Sequence, residues 1–246
     1  MSDASPHFPW TDEQVAARAR EAVVAYWSGR SGQAARQQEQ GRVSDAGSRS
    51  QVTGGQHLNG FLGLMVEVIN AAGFAGDEVL FNAKTEIPGF YRPTKRWDVV
   101  VVRKNRLCAA IELKSQVGPS FGNNFNNRTE EAIGNSVDLW RAFQEGVVGS
   151  YPPWLGYFFL LEDAAGSTTN VSLSKAVFPT DPVFNNTSYA DRYAILCRRL
   201  VLERNYTAAA LILAPHGADG SYREPDDGLR FPQFLKTLYG HLIGCA

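Results

Sequence analysis

The 246-residue chain has almost no net charge: 24 Lys and Arg against 25 Asp and Glu leave it at −1. No global basic field exists to draw in a polyanion, so any contact with nucleic acid has to come from local patches. Cysteine is scarce too. Cys108, Cys197 and Cys245 are odd in number and scattered, which rules out a disulfide framework and fits no zinc-ligand spacing. No apolar run approaches the ~20 residues of a membrane span, and the first residues lack the basic start and apolar stretch of a signal peptide. Histidines are few (His7, His57, His216, His241) and far apart, so no Ser-His-Asp arrangement offers itself. These absences predict a soluble, cytoplasmic protein of a reducing compartment.

What is present is enough for a large core, with 44% hydrophobic and 11% aromatic residues. The length suits one domain over residues 1–246 with an added arm. Thr11, Asp12 and Glu13 start a helix well, and Val15, Ala19, Ala22, Val23, Tyr26 and Trp27 give it one apolar stripe. Residues 28–55 break that pattern. They hold little to bury, carry Arg30, Arg36, Arg42 and Arg49 against Glu39 and Asp45, and predict a mobile loop or arm of charge +2. Either a solvated linker or an arm that orders on nucleic acid would have this composition.

A helix follows over residues 56–72, then a strand over 79–85. Loop residues 116–128 are crowded with Asn and Gly. Asn127 and Glu130 resemble a capping box opening a helix to about residue 145, with Ile133, Val137, Trp140 and Phe143 as its buried stripe. A strand at 154–161, placed parallel to 107–114, a polar excursion at 164–187, a helix at 189–204, a strand at 208–213 and a helix at 231–243 complete the chain.

The chemistry concentrates in WDVVVVRKNRLCAAIELK, residues 97–114. Val99–Val102 and Leu107–Ile111 are β-branched and apolar runs of the kind covered on both faces, yet Asp98, Glu112 and Lys114 sit at their ends. A carboxylate there costs several kcal/mol unless it meets a cation or donors. Glu112 and Lys114, two apart on one strand, face the same way. A three-residue loop, Lys104-Asn105-Arg106, would pair Arg103 with Leu107 and set Asp98 opposite Glu112; a two- or four-residue loop would put the acids on opposite faces. Two carboxylates and a lysine at a sheet edge suit a divalent metal with a water-activating cation beside it. A salt bridge between strand ends would use the same residues.

The segments GFYRPTKRWDVVVV, AAIELKSQVGPSFGNNFNNRTEEAIGN and PPWLGYFFLLED resemble the XhoI family of type II restriction endonucleases, a branch of the PD-(D/E)xK nucleases. The resemblance is dense over residues 56–163, expected to be the catalytic core, although Trp97 stands where the superfamily has proline. It implies an α/β fold with an αβββαβ core, a mixed sheet flanked by helices and a C-terminal αβα extension. It also implies Mg²⁺-dependent cleavage of double-stranded DNA at the palindrome CTCGAG, 5′-phosphate products, a homodimer, a bacterial cytoplasmic setting and a companion DNA methyltransferase. Asp98 and Glu112, with the main-chain carbonyl of Leu113, would hold the metal, and Lys114 would orient water or share developing charge. Asn123, Asn124, Asn126, Asn127 and Arg128 are expected at DNA bases or phosphates. Glu67 is a possible accessory acid, though a solvated glutamate fits it as well. A low-specificity repair nuclease and an inactive DNA-binding protein on the same fold are the alternatives.

Overall fold

The computed structural model describes residues 7–39 (side chains to residue 31), 57–173 and 176–245. Helix α1 (Asp12–Glu39) opens on a reciprocal cap, in which the Thr11 hydroxyl accepts from the Gln14 N–H at 3.3 Å and Gln14 Oε1 accepts from the Thr11 N–H at 2.8 Å. Its stripe from Val15 to Trp27 is buried as expected. The helix then continues through residues 28–39, where composition predicts a loop. Ala, Arg, Gln and Glu there are good helix formers, so the backbone propagates from a buried half even without apolar residues to bury. The rest of the expected arm, including Arg42 and Arg49, lies outside the described residues.

Helix α2 (Asn59–Ala71) buries Phe61, Leu64, Met65, Val68 and Ile69. Strand β1 (Val79–Phe81) is shorter than expected, because Asn82 and Lys84 take positive φ values of 62° and 57° and end it. Strands β2 (Glu86–Pro88) and β3 (Thr94–Arg96) then form a separate antiparallel pair, in register Ile87 with Lys95. The apolar pattern does not announce this pair.

The hairpin of β4 (Val99–Arg103) and β5 (Arg106–Gln116) corrects the expected turn. Arg103 pairs with Arg106, not Leu107, and the loop is only Lys104-Asn105, both at positive φ (52° and 58°), the dihedral signature of a type I′ turn. Such a loop alone would put the two acids on opposite faces. A β-bulge restores them: the pairing changes from Val102 with Leu107 to Val101 with Ala109, leaving Cys108 extra. From there Val99 faces Ile111, so Asp98 stands opposite Glu112. The expected opposition holds through a different device.

Helix α3 (Phe121–Gln144) begins six residues before the expected capping box, and Asn123 to Arg128 are therefore helical rather than loop. The ring of Phe121 stacks on Tyr189 and that of Phe125 meets Tyr193 edge-on at 5.1 Å, so an i, i+4 aromatic pair anchors the first turns. Its buried face is Ala132, Asn135, Ser136, Asp138, Leu139 and Ala142; Ile133 and Val137, expected inside, are exposed. Strand β6 (Trp154–Glu162) returns parallel to β5, as expected of the crossover. A single turn, α4 (Ala165–Thr168), precedes helix α5 (Tyr189–Leu202), strand β7 (Ala208–Ala214), parallel to β6, and helix α6 (Phe231–Ile243).

The result is a mixed five-stranded sheet in the order β1-β4-β5-β6-β7, covered by helices on both sides. One face, with Val99, Ile111, Phe158 and Ile212, packs on α1, α2 and α6. The other, with Val100, Ala110, Phe159 and Leu211, packs on α3 and α5 and on Ile87 and Trp97. This is the restriction-endonuclease-like α/β architecture, with β7 joined to the same sheet.

Because the bulge absorbs one surplus residue, deleting Cys108 should leave a regular two-residue hairpin with Asp98 still opposite Glu112. The deletion is expected to cost about 1–2 kcal/mol of stability, from the lost side chain, measured by urea unfolding. A folded deletion mutant whose Asp98 and Glu112 no longer oppose each other by chemical-shift mapping would refute this register.

Candidate active site

The second sheet face carries the charged cluster. Asp98 enters at the head of β4, where its main-chain N–H donates to the Ile111 carbonyl at 3.1 Å and its Oδ2 accepts from the Leu113 N–H at 2.7 Å. Across the rung, Glu112 is only 2% exposed. Each of its oxygens meets one ammonium group: Oε1 lies 2.5 Å from Lys114 Nζ, and Oε2 lies 2.7 Å from Lys95 Nζ. No ion pair reaches Asp98 among the described residues.

The two acids are driven in opposite directions. Burial pushes the Asp98 carboxyl up, and the Glu112 charge adds to it; Lys114, the Leu113 N–H and Lys95 offset only part, leaving a pKa of about 6. Burial would also raise Glu112, but Lys114 and Lys95 outweigh it and hold that carboxyl below its ordinary range. Burial would lower Lys114, yet the charges of Glu112 and Asp98 leave it raised, so it is a cation at neutral pH.

Lys95 is the residue that sequence reasoning missed. It sits on β3, only 11% of its side chain exposed, with its Nζ also donating to the Arg96 carbonyl at 2.8 Å and lying 4.5 Å from the centre of the buried Trp97 ring. The only sequence signal is a lysine three residues before Asp98, and it is silent without knowledge of the β2–β3 pair. That pair is in turn clamped to α3. Buried Asp138 accepts from the N–H groups of Phe90 and Tyr91 at 2.8 and 2.7 Å and from Arg92 Nε at 2.8 Å, while Asn135 Oδ1 accepts from Arg92 Nη2 at 2.8 Å. Gly89 is required there, because a Cβ would lie 2.4 Å from the Asp138 carboxylate and 2.8 Å from the Arg92 carbonyl.

The remaining expected residues divide. Asn123, Asn126 and Asn127 are exposed on the first turns of α3, and Asn124 is half-buried. Arg128 pairs with Glu131 at 2.6 Å, and its positive charge is felt weakly at Lys114. Glu67 is not part of the site. It pairs with Arg18 at 2.6 Å, on a helix that covers the other sheet face. Buried Gln116 continues the Glu112–Lys114 row and accepts from the Tyr193 hydroxyl. Among the described residues no three His, Cys, Asp or Glu side chains gather as a metal cage, so a cation here would rest on the acid pair and main-chain oxygen.

The model of the XhoI restriction endonuclease family matches residues 36–224, a span that contains the whole cluster. The chain belongs to the XhoI restriction endonuclease family. It is 43% identical over 212 residues to the type II restriction enzyme BstVI of Geobacillus stearothermophilus, covering 83% of this chain and 95% of that one. It is 45% identical over 188 residues to the type II restriction enzyme XhoI of Xanthomonas vasicola, covering 75% of each. AbrI of Azospirillum brasilense is 47% identical over 152 residues, covering 61% of this chain and 68% of that enzyme. No solved structure matches the chain significantly. Membership in the XhoI family makes this chain a hydrolase, an endonuclease of a restriction system. Among the described residues no helix is long and apolar enough to cross a membrane.

The raised Asp98 has a measurable cost. A carboxyl whose folded pKa of about 6 exceeds its ordinary 3.8 binds its proton more tightly when folded, so the stability it contributes is greatest at low pH and is lost as pH rises through 6. Asn cannot ionise and escapes that loss. Asp98→Asn is therefore expected to stabilise the metal-free protein by about 1–3 kcal/mol near neutral pH, with the gain vanishing below about pH 4. Urea unfolding across pH in EDTA measures it; parallel profiles for the two proteins would show that Asp98 carries no such penalty.

Proposed function

We propose that this XhoI-family chain cleaves double-stranded DNA at the palindrome CTCGAG in a Mg²⁺-dependent reaction, leaving 5′-phosphates. The observation that carries the reading is the acid pair, Asp98 opposite Glu112 with Lys114 on the same face, in a chain 45% identical to the XhoI enzyme over 188 residues. The donor set fits the metal. Two hard carboxylates share one rung, and Asp98 has no cation paired to it and is strained by its neighbour's charge. The Leu113 N–H points to Asp98, and an extended residue directs its carbonyl to the same side as its N–H, so that oxygen opens toward the same edge. Asp98, Glu112 and the Leu113 carbonyl are the proposed ligands. When bound there, Mg²⁺ lowers the pKa of water and neutralises phosphate charge.

The chain's own groups do the rest. Lys114 is a cation beside Glu112 in the metal-free chain, and its proposed role is to orient the attacking water or stabilise charge on the phosphate. Arg128 adds positive charge on the same side. Exposed Asn123, Asn126 and Asn127, with Asn124 and Arg128, are the proposed DNA contacts, through base edges or phosphates. A palindrome presents two identical half-sites and each chain offers one acid pair, so the active form is a two-fold homodimer. A methyltransferase acting on the same sequence would protect the host's DNA.

Unmethylated plasmid incubated with the protein and Mg²⁺ should give discrete fragments ending at CTCGAG, with two chains per target duplex by sedimentation. A smear would indicate a low-specificity nuclease, and intact plasmid an inactive binder. Glu112→Gln and Lys114→Ala should each slow cleavage by about 100-fold or more while duplex binding remains measurable; near wild-type cutting by either would remove that residue from the chemistry.

The Asn contacts are tested on cognate and scrambled duplexes at fixed salt. Loss of a base contact in Asn123→Ala, Asn126→Ala or Asn127→Ala should cost about 1–3 kcal/mol on the cognate site alone, and loss of a phosphate contact should weaken both duplexes together. Unchanged affinity in all three would leave these residues as solvated helix positions.

A further inference from the structure

The Glu112 carboxylate already has both oxygens engaged, Oε1 by Lys114 at 2.5 Å and Oε2 by Lys95 at 2.7 Å. A cation that shares this carboxylate with Asp98 brings a second positive charge against one of those oxygens, and its repulsion bears on the ammonium already there. The two lysines are not equivalent. Lys114 is two residues from Glu112 on the same strand and the same face, and its position is fixed by the ladder that fixes Glu112. Lys95 arrives from the small β2–β3 sheet, which pairs with no strand of the main sheet.

Lys95 also has somewhere to stay. Its Nζ donates to the Arg96 carbonyl at 2.8 Å and lies over the Trp97 ring at 4.5 Å, contacts that do not involve Glu112. A desolvated ammonium over an indole is held by the ring quadrupole. Trp97 is 3% exposed and precedes Asp98 directly. The proline found at this position elsewhere in the superfamily would offer no such face. Two separate observations thus converge: a buried lysine on the second oxygen of the acid, and an aromatic platform that holds it when that oxygen is needed.

We propose that Lys95 is a displaceable counter-ion: it occupies Glu112 Oε2 while the site is metal-free and withdraws along the Trp97 ring when a divalent cation binds. It is a positioning residue, acting through Glu112. This rests on the reading of Asp98 and Glu112 as metal ligands. Its consequence is that both oxygens of buried Glu112 are met by a cation while the site is empty. The protein can therefore fold without metal, and each binding event works against one lysine contact. The Asp138–Arg92 clamp, which fixes the β2–β3 pair on α3, sets how readily Lys95 moves.

The test compares wild type, Lys95→Met and Trp97→Phe without DNA, by calorimetric Mg²⁺ titration, tryptophan emission and melting in EDTA. Lys95→Met should melt about 3–6 °C lower in EDTA, because Glu112 loses a partner, and should bind Mg²⁺ about tenfold more tightly, because no ammonium competes. The wild-type emission change on Mg²⁺ binding should disappear in both Lys95→Met and Trp97→Phe, as it reports the ammonium moving over that ring. Lys95→Arg, which keeps the charge, should melt close to wild type. Should wild type show no saturable Mg²⁺ binding that Glu112→Gln removes, the metal-site reading itself falls and takes this inference with it. Saturable wild-type binding with equal or weaker affinity in folded Lys95→Met, or an emission change that survives in it, overturns the counter-ion role alone.

Discussion

Keeping one buried carboxylate ionised is the constraint on which this molecule is arranged. Glu112 has 2% of its surface in water, and an unpaired charge so placed would cost several kcal/mol. Two ammonium groups at 2.5 and 2.7 Å remove that cost. They come from different elements, so the compensation is non-local. Lys114 follows from the period of β5, whereas Lys95 requires the β2–β3 pair to be docked. The Asp138–Arg92–Asn135 cluster, in which Asp138 and Asn135 are buried and Arg92 is exposed, has its physical explanation here: it fixes the loop between those two short strands against α3.

Strand β5 is the hub. It pairs antiparallel with β4 on one side and parallel with β6 on the other, so its outer residues have a core on both faces and its charged ones sit where the β4 ladder ends. Helix α3 serves this arrangement twice. Its start carries the Asn row and Arg128, whose charge reaches Lys114, and its middle carries Asp138 to the β2–β3 loop. A crossover helix lying on the same face as the acids is what allows one element to do both.

Much of this was legible in the sequence, and the parts that were not have physical reasons. The runs Val99–Val102 and Leu107–Ile111 interrupted by charges gave away the hairpin and the acid pair, because period and burial act locally. The loop length did not follow, since a bulge and a two-residue turn reach the same register as a three-residue loop, and only Cys108, an ordinary apolar residue, marks the difference. Asn-rich residues 123–127 read as loop by propensity, but Phe121 and Phe125 seated on Tyr189 and Tyr193 supply tertiary energy that propensity omits. Residues 28–39 failed in the opposite way, being helical without an apolar stripe. Glu67 was unresolvable by pattern, as a helix position does not reveal which sheet face the helix covers; its partner Arg18 does. Lys95 stayed hidden because strands of three residues carry too little periodicity to be seen.

The opposite shifts of Glu112 and Asp98 divide the work between two chemically similar groups. Two carboxylates across one rung cannot both be at ease in a half-dry site, and the fold gives both lysines to one of them. Glu112 is then held toward its anionic form by both lysines, whereas Asp98, with a pKa of about 6, holds its proton when conditions turn mildly acid. A cation at the proposed site would displace a proton from Asp98 wherever that proton is still bound, and would recover the energy that strains Asp98. A symmetric division of the lysines would relax both acids. The asymmetry produced by one hairpin register and one small docked sheet is what leaves Asp98 the strained acid of the pair.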